Sequence, residues 1–181
     1  MKNSTATKFS ALSIGLHWLM LLLLAAVYAT MELRGIFPKG SAPRDAMKMW
    51  HYMLGLTVFG LVWVRLIARL IYATPPIQPT PPKWQTYLAS MTHAALYALM
   101  IAMPLLGWTI LSAEGKPIPF FGLQLPALVA ESKVLAEQIM EIHETIGTVG
   151  YFLIGLHAAA ALFHHYVARD NTLQRMSPFS R

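Results

Sequence analysis

The amino-acid sequence contains no cysteine, and it is poor in charged residues. Without cysteine the chain can form no disulfide, thiolate metal site, iron–sulfur cluster or catalytic thiol. Asp, Glu, Lys and Arg make up 12% of the 181 residues, against about 25% in typical soluble domains, whereas 56% are hydrophobic. A small soluble core cannot bury so much apolar surface. The sequence therefore predicts a single domain in a lipid environment.

Four stretches contain no Asp, Glu, Lys or Arg: 9–31, 49–64, 84–113 and 145–168. A bilayer core about 30 Å thick needs roughly 20 apolar residues of helix. Three stretches are long enough, and the second becomes so if Arg65 and Arg69 extend their guanidinium groups toward the interface. We predict an all-α fold, an integral membrane four-helix bundle, with helices at about 10–32, 48–72, 84–112 and 139–168.

The first apolar stretch follows Lys2 and Lys8, as the hydrophobic region of a secretory signal peptide would. It is long for such a region, contains His17 and Trp18, and lacks a convincing small-x-small cleavage site. We therefore expect a retained membrane helix.

With four spans, both termini lie on one side of the membrane. If that side is the inner one, the inner segments carry these cationic residues: Lys2, Lys8, Arg65, Arg69, Lys83, Arg169, Arg175 and Arg181. The outer loops then carry fewer: Arg34, Lys39, Arg44, Lys48, Lys116 and Lys133. The positive-inside rule counts Lys and Arg, so this difference favours cytoplasmic termini. Because the cations flank hydrophobic spans, we expect no nucleic-acid partner.

The loops differ in composition. Residues 74–82 are rich in proline and predict an extended polyproline connector without a core of its own. The loop 114–141 begins with Gly and Pro and is expected to become helical over 131–140, where it could cap the outer end of the bundle. Pro104 and Gly107 predict a bend in the third helix, which neighbouring membrane helices tolerate.

Seven histidines occur in this apolar chain, and ionisable residues within membrane helices usually indicate function. His143 and His157 share one face of the fourth helix, because at 100° per residue their spacing returns to nearly the same side about 21 Å further along the axis. Gly147 and Gly150 lie between them and would let a flat macrocycle approach the backbone. This geometry predicts two haems stacked across the membrane, both held by the fourth helix.

Two further histidines match these levels. His51, at the outer start of the second helix, lies at the depth of His143, and His17, in the first helix, lies at the depth of His157. Gly55, one turn after His51, again leaves space. A single membrane histidine is more often a packing residue, but two level-matched pairs favour ligation of an outer and an inner haem.

The remaining histidines are less distinctive. His93, near the depth of the inner haem, either contacts a haem propionate or satisfies a neighbouring carbonyl. His164 continues the stripe of the fourth helix beyond His157, where it either hydrogen-bonds and protonates a quinone or has a structural role. His165 points elsewhere and is expected at the interface.

The histidines stand in recognisable segments: Ile14-Gly-Leu-His-Trp-Leu19, His143-Glu-Thr145, Gly150-Tyr-Phe-Leu-Ile-Gly-Leu-His157 and, after the fourth helix, Arg169-Asp-Asn-Thr-Leu-Gln-Arg-Met176. With the segments Met31–Pro38 and Tyr72–Pro76, they resemble the bacterial cytochrome b561 family, in particular its superoxide oxidase type. The resemblance covers essentially the whole chain. It is looser over 116–130, where substrate specificity would be expressed.

The resemblance implies one transmembrane cytochrome b domain over 1–181, in a bacterial inner membrane, with two b haems as cofactors. It implies the axial ligand pairs His17/His157 and His51/His143, the same residues that the spacing indicates. It also implies quinone reduction at the inner side, with His164 as the matching residue. Arg169 is a further candidate to contact the quinone or a haem propionate.

These features predict an oxidoreductase that passes electrons from superoxide at the outer, periplasmic face to ubiquinone at the inner side. Cations of the outer loops could steer superoxide or simply anchor the interface: Arg34, Lys39, Arg44 and Lys48. Two alternatives stay open. The chain could be a haem-bearing electron-transfer subunit for a partner dehydrogenase or hydrogenase. The histidines could instead line a path for transition-metal ions, although such a path usually adds carboxylates within the membrane.

Overall fold

Helices dominate the computed structural model, which describes residues 7–179; Lys2 and Arg181, counted above, lie outside the described residues. In chain order the elements are α1 (Ala11–Leu33), α2 (Ala42–Ile71), α3 (Lys83–Ala113), β1 (Ile118–Phe120), β2 (Leu123–Leu125) and α4 (Lys133–Phe163). Short 3-10 turns follow α1 and precede the C-terminus, and a π-helical turn extends α4: Arg34–Ile36, Gln174–Met176 and His164–Ala168.

Four helices within residues 7–179 are long and apolar enough to cross a membrane. An 18-residue window of each has a mean hydropathy between 1.7 and 2.0, and little of it is buried inside the protein. Large apolar side chains instead face outward, among them Leu22, Leu70 and Phe152. Such an exterior is stable against lipid rather than water. The predicted all-α membrane bundle is confirmed, and the chain is a multi-pass membrane protein.

Two helices begin before their apolar runs do. α2 begins at Ala42 rather than near 48, because Pro43 occupies its first turn, where a missing N–H costs nothing. α4 begins at Lys133 rather than near 139, because the Ser132 hydroxyl accepts a hydrogen bond from the Leu135 N–H at 3.3 Å and caps the helix. The polar first turns of both helices therefore extend beyond the apolar section.

A small β-hairpin, which the sequence analysis did not predict, lies between α3 and α4. Strands β1 and β2 pair antiparallel, and the chain reverses through Phe121 and Gly122 at φ values of 45° and 87°. A glycine favours this left-handed conformation because it has no Cβ. Ile118 of β1 packs in a buried cluster with Leu56 of α2 and Leu111 of α3. The hairpin is thereby fixed against the ends of two helices.

The helices pack in sequence order, α1 along α2, α2 along α3 and α3 along α4. A buried cluster joins the first three: Met20, Val58, Val62 and Met100. The backbone of α4 stays apart from those of α1 and α2. We term the end of the bundle with both ends of the described chain, near residues 7 and 179, and the loop 72–82 the terminal end. The opposite end, with the loops after α1 and α3, is the hairpin end.

The proline-rich loop at the terminal end is docked rather than free. Pro75 is fully buried, and its carbonyl accepts a hydrogen bond from the Arg175 guanidinium. The Gln78 N–H donates to the Asn171 side chain at 2.9 Å, and the Asn171 N–H donates to the Gln78 carbonyl at 3.0 Å. Most residues of 74–82 are exposed and the loop has no core of its own, but the sequence did not predict that Pro75 and Gln78 are held against the C-terminal segment.

The N-terminal residues join the same arrangement. The Phe9 N–H donates to the Arg175 carbonyl at 3.2 Å, and the Arg175 guanidinium lies over the Phe9 ring. The Trp18 indole donates to the Met176 carbonyl at 2.9 Å. Three segments far apart in sequence therefore close the terminal end together.

Candidate functional site

His51 of α2 and His143 of α4 face each other near the hairpin end. Their ring centroids are 6.2 Å apart and their planes are inclined by 71°. The His51 Nδ1 lies 3.1 Å from the Val27 carbonyl, which can only accept, so this nitrogen carries the proton. The His143 Nδ1 is buried beside the Met103 backbone without a hydrogen bond of normal geometry. In His51 the unprotonated Nε2 is left free to bind a metal.

A second pair lies toward the terminal end. The ring centroids of His17 on α1 and His157 on α4 are 6.1 Å apart, with their planes inclined by 66°. His93 of α3 joins them, with its centroid 5.5 Å from that of His157. The structure therefore brings His93 into contact with this pair, which the depth of His93 along α3 did not by itself predict.

Arg65 does not extend to the interface as the sequence analysis supposed. Its Nη2 lies 2.9 Å from the His17 Nδ1, and its Nη1 is buried without a partner. A buried guanidinium group is costly unless an anion or several acceptors surround it. The side chain therefore turns along α1 toward the histidines, and Arg65 brings a positive charge to this pair.

The spacing within each pair fits one iron between two imidazoles. A metal–imidazole bond is about 2 Å long and the ring centre lies about 1 Å further, so opposed ligands have centroids about 6 Å apart. Both pairs have this separation, and both connect α4 to a helix from which its backbone stays apart. The hydrogen bond from His51 to Val27 also orients that ring as a ligand requires. The spacing of both pairs fits haem iron. At the second pair the Arg65 guanidinium can only donate, so the His17 Nδ1 accepts there, and binding of iron by the His17 Nε2 would require Arg65 to move away from this ring.

The glycines of α4 do only part of what the sequence analysis expected. A Cβ on Gly150 would overlap the Tyr28 hydroxyl and lie 3.2 Å from a Leu99 methyl carbon, so this space is filled by side chains. Near Gly147, the Met103 methyl group lies 3.5 Å from where a Cβ would be. Gly55 has open space. On α4 the glycines therefore give room to the Tyr28 side chain of α1 and to side chains of α3 between the two histidine levels.

His164 lies at the terminal end and is held by a carboxylate. Its Nδ1 is 2.5 Å from the Asp170 Oδ2, and their side chains are 16% and 3% exposed. Burial raises the pKa of Asp170, but hydrogen bonds from His164 and Thr172 outweigh it and bring this pKa below its usual value. Arg169 is exposed and has left-handed backbone angles, with φ of 53°. The His165 ring contacts Tyr166.

Charges divide the hairpin end into two regions. The loop after α1 and the first turns of α2 carry the predicted cations, of which Arg44 donates to the Phe37 carbonyl at 2.9 Å and Lys48 pairs with Asp45 at 3.0 Å. On the other side, a cleft of about 760 Å³ is lined mainly by carboxylates and two lysines: Glu114, Glu131, Glu137, Glu141, Glu144, Lys116 and Lys133. An anion approaching this end is therefore favoured beside α1 and α2.

Comparison with protein-family models gives a match described as prokaryotic cytochrome b561, over residues 8–179. The chain belongs to the prokaryotic cytochrome b561 family. It is therefore a membrane haem protein, and b-type haem is the cofactor that this family implies.

This cytochrome is similar to curated proteins over nearly its whole length. It is 46% identical over 171 residues to "Cytochrome b561 homolog 1" of Escherichia coli (strain K12), covering 94% of this chain and 97% of the relative. It is 42% identical over 174 residues to "Probable superoxide oxidase CybB" of Yersinia pestis, covering 96% and 98%. It is 28% identical over 172 residues to "Cytochrome b562" of Cereibacter sphaeroides, covering 93% and 94%.

Sequence reasoning missed two polar residues of this cytochrome's sites. Asp170 is the one Asp or Glu after Glu144 in the sequence, a signal that could have singled it out. Arg65 was assigned to the interface from its place near the end of α2. Within residues 7–179, no three of the His, Asp and Glu side chains are placed to hold a metal ion together.

Proposed function

We propose that this cytochrome binds two b haems, one between His51 and His143 and one between His17 and His157. The observation that carries the proposal is the separation of about 6 Å within each pair. The Val27 carbonyl supports it, because it holds the proton on the His51 Nδ1 and leaves Nε2 for the metal. His93 and Arg65 flank the second pair, where they would orient the ligands or bind a propionate.

The function we propose is electron transfer from superoxide to ubiquinone. Haem, when bound, supplies one-electron redox chemistry, and two levels along α4 would connect the two ends of the bundle. The name of the Yersinia pestis relative supports an oxidoreductase of this kind. Two superoxide anions would each give one electron and leave as O₂. One ubiquinone would take both electrons and two protons and leave as ubiquinol.

The charge distribution supports superoxide at the hairpin end. Cations near the outer pair would raise the local concentration of a small anion, whereas the carboxylates of the cleft would repel it from the other side. The cations are those of the loop after α1 and the start of α2: Arg34, Lys39, Arg44 and Lys48. We therefore place the entry for superoxide beside α1 and α2.

The terminal end would serve ubiquinone. His164 follows α4 directly at that end, and its Nδ1 is engaged by Asp170, so its other nitrogen would contact the quinone. Arg169, exposed beside it, would lie at the surface that the quinone approaches. The excess of Lys and Arg in the segments of the terminal end supports cytoplasmic termini in a bacterial inner membrane.

The first experiment is spectroscopic. The purified protein, reduced with dithionite, should show a sharp b-type α-band, and haem extraction should yield two haems per chain. His51→Ala and His17→Ala should each leave one haem, and these two single haems should differ in reduction potential. Two haems in either variant would refute the pairing.

The second experiment tests the reaction. Superoxide should reduce the purified protein within milliseconds, and added ubiquinone should reoxidise it without any further protein. If superoxide leaves the haem spectrum unchanged, the superoxide function is wrong although the haem assignment survives. Reduction only in the presence of a co-purified soluble subunit would indicate the alternative role in electron transfer for a partner enzyme.

A further inference from the structure

The backbone after α4 is shaped so that Asp170 returns to His164. The π-helical turn His164–Ala168 ends at Arg169, whose left-handed angles reverse the chain. The N–H groups of Arg169 and Asp170 both donate to the His164 carbonyl, the latter at 3.1 Å. A non-glycine residue in this conformation carries a cost, which persists only where the surroundings hold it. The turn therefore fixes the distance between the imidazole and the carboxylate.

Both carboxylate oxygens of Asp170 are occupied. Oδ2 accepts from the His164 Nδ1 at 2.5 Å, and Oδ1 accepts from the Thr172 N–H at 2.8 Å. The side chain is 3% exposed. Because a carboxylate only accepts hydrogen bonds, the proton of this contact lies on the His164 Nδ1. The other ring nitrogen, Nε2, is then the one left to contact a ligand.

Few other charged groups act on this pair. Arg175, bound to the Pro75 carbonyl, is the charged neighbour of Asp170, while Arg169 is exposed and His165 contacts Tyr166. The described segments that form the terminal end, within 7–31, 49–113 and 145–179, contain no Asp or Glu other than Asp170. Among the residues that the structure describes, this is therefore the one acidic side chain of the terminal end.

We propose that Asp170 is a positioning residue for quinone reduction, which holds His164 with Nδ1 as a donor so that Nε2 hydrogen-bonds and protonates a quinone oxygen. The proposal rests on the function proposed above. An aspartate on Nδ1 both selects the tautomer and stabilises the imidazolium ion, as in other carboxylate–histidine pairs. The structure supplies the two requirements, which are a fixed short contact and a buried carboxylate without a competing cation bridge to its oxygens.

The proposed proton transfer balances with the electron transfer. The quinone takes two electrons, which two superoxide anions supply, and two protons. His164 donates as the imidazolium ion, which carries a proton on each ring nitrogen. The bond from hydrogen to Nε2 breaks, a bond from hydrogen to one quinone oxygen forms, and the neutral ring keeps its Nδ1 proton and regains the other from the aqueous phase at the terminal end. The second quinone oxygen takes its proton from the same aqueous phase. Asp170 keeps its charge throughout and remains hydrogen-bonded to Nδ1.

The test uses the holoprotein and only the quinone half of the reaction. The cytochrome is reduced with dithionite, freed of excess reductant and mixed with a water-soluble ubiquinone analogue while the reduced haem absorbance is followed. Asp170→Asn should slow reoxidation at saturating quinone about tenfold or more, with little change in the quinone concentration that gives half-maximal rate. Asp170→Glu should recover much of the loss, and Glu137→Gln, which removes a distant carboxylate, should match the wild type.

A double-mutant cycle separates positioning from a general structural effect. If Asp170 acts through His164, then adding Asp170→Asn to His164→Gln should slow reoxidation no further. The proposal would be refuted if Asp170→Asn protein were reoxidised at a rate within twofold of the wild type. It would also be refuted if Asp170→Asn slowed reoxidation equally in the wild-type and the His164→Gln proteins. If wild-type protein is not reoxidised by quinone, the proposed quinone reaction fails and this proposal fails with it.

If Asp170→Asn does not retain haem, the wild-type protein itself decides the question. In protein labelled with 15N-histidine, the His164 signals are those that vanish in His164→Gln. A proton on its Nδ1 is the expected result. A neutral ring with its proton on Nε2 would refute the proposal, because the carboxylate would then not be setting the tautomer.

Discussion

Replacing Gly150 by alanine tests the contact between the Tyr28 side chain of α1 and the backbone of α4, which lies between the two histidine pairs. The new Cβ would overlap the Tyr28 hydroxyl and lie 3.2 and 3.4 Å from the two Leu99 methyl carbons. The hydroxyl must then move, and its 2.9 Å hydrogen bond to the Gly147 carbonyl is lost. Because the new Cβ displaces a hydroxyl that is held by this hydrogen bond, Gly150→Ala should destabilise the protein.

The magnitude follows from three terms. Overpacking costs about 1–3 kcal/mol, and losing a hydrogen bond within a membrane bundle costs about 0.6 kcal/mol. Alanine regains up to about 1 kcal/mol of helix propensity relative to glycine. The expected loss in the free energy of unfolding is therefore about 1–3 kcal/mol.

Tyr28→Phe provides the matched variant, because it removes the oxygen that the new Cβ would meet. Alone it should cost about 0.6 kcal/mol, the value of one hydrogen bond in a bundle. Combined with Gly150→Ala, it should cancel most of the overpacking, so the two changes should couple by about 1 kcal/mol or more. Unfolding in detergent, followed by loss of haem absorbance, measures each variant. If the stability losses of the two substitutions simply add, or if the Gly150→Ala protein is as stable as the wild type, the contact between the Tyr28 hydroxyl and Gly150 is refuted.

Three further predictions concern charges. Arg65→Met should lower the reduction potential of the haem proposed at His17 by on the order of 50 mV, because a nearby cation favours the reduced state; a redox titration that leaves both potentials unchanged would contradict this. The lowered pKa of Asp170 means that its contribution to stability is complete above about pH 4 and is lost as pH falls through the folded pKa. Acid unfolding curves should therefore be less steep for Asp170→Asn. Reduction by superoxide should slow with ionic strength, and Arg44→Gln should weaken that dependence.

The membrane helices could be predicted because their signal is local. An absence of charge over the length of a bilayer needs no knowledge of neighbours, and three of the four spans follow from it directly. The second span was predicted by supposing that Arg65 and Arg69 reach the interface, whereas Arg65 contacts His17 instead. The early starts of α2 and α4 also have local causes, which are Pro43 and Ser132. They were missed because a prediction from the length of an apolar run overlooks polar first turns. The hairpin was missed because its strands have three residues each, too few to show alternation.

The two histidine pairs could be predicted because each pair depends on the depth of its members along their helices. Counting residues places His51 level with His143 and His17 level with His157, and the structure brings each pair to within about 6 Å. Counting residues cannot give the rotation of a helix about its axis. In α3 that rotation turns His93 toward His17 and His157.

Long-range contacts were invisible for the same reason. Arg65 reaches His17, and Pro75 meets Arg175, only because distant segments pack together. The proline-rich sequence of 74–82 indicates a stiff chain, but it does not identify the C-terminal segment that contacts this loop.

The closure of the terminal end has a consequence for biosynthesis. Phe9 and Trp18 are made early, but their carbonyl acceptors belong to Arg175 and Met176, which follow α4 in the chain. All four helices can thus be inserted while this end is still open, and the pairing of His164 with Asp170 must wait until the segment after α4 has left the ribosome. Synthesis of that segment, rather than insertion of the last helix, would be the event that closes the terminal end.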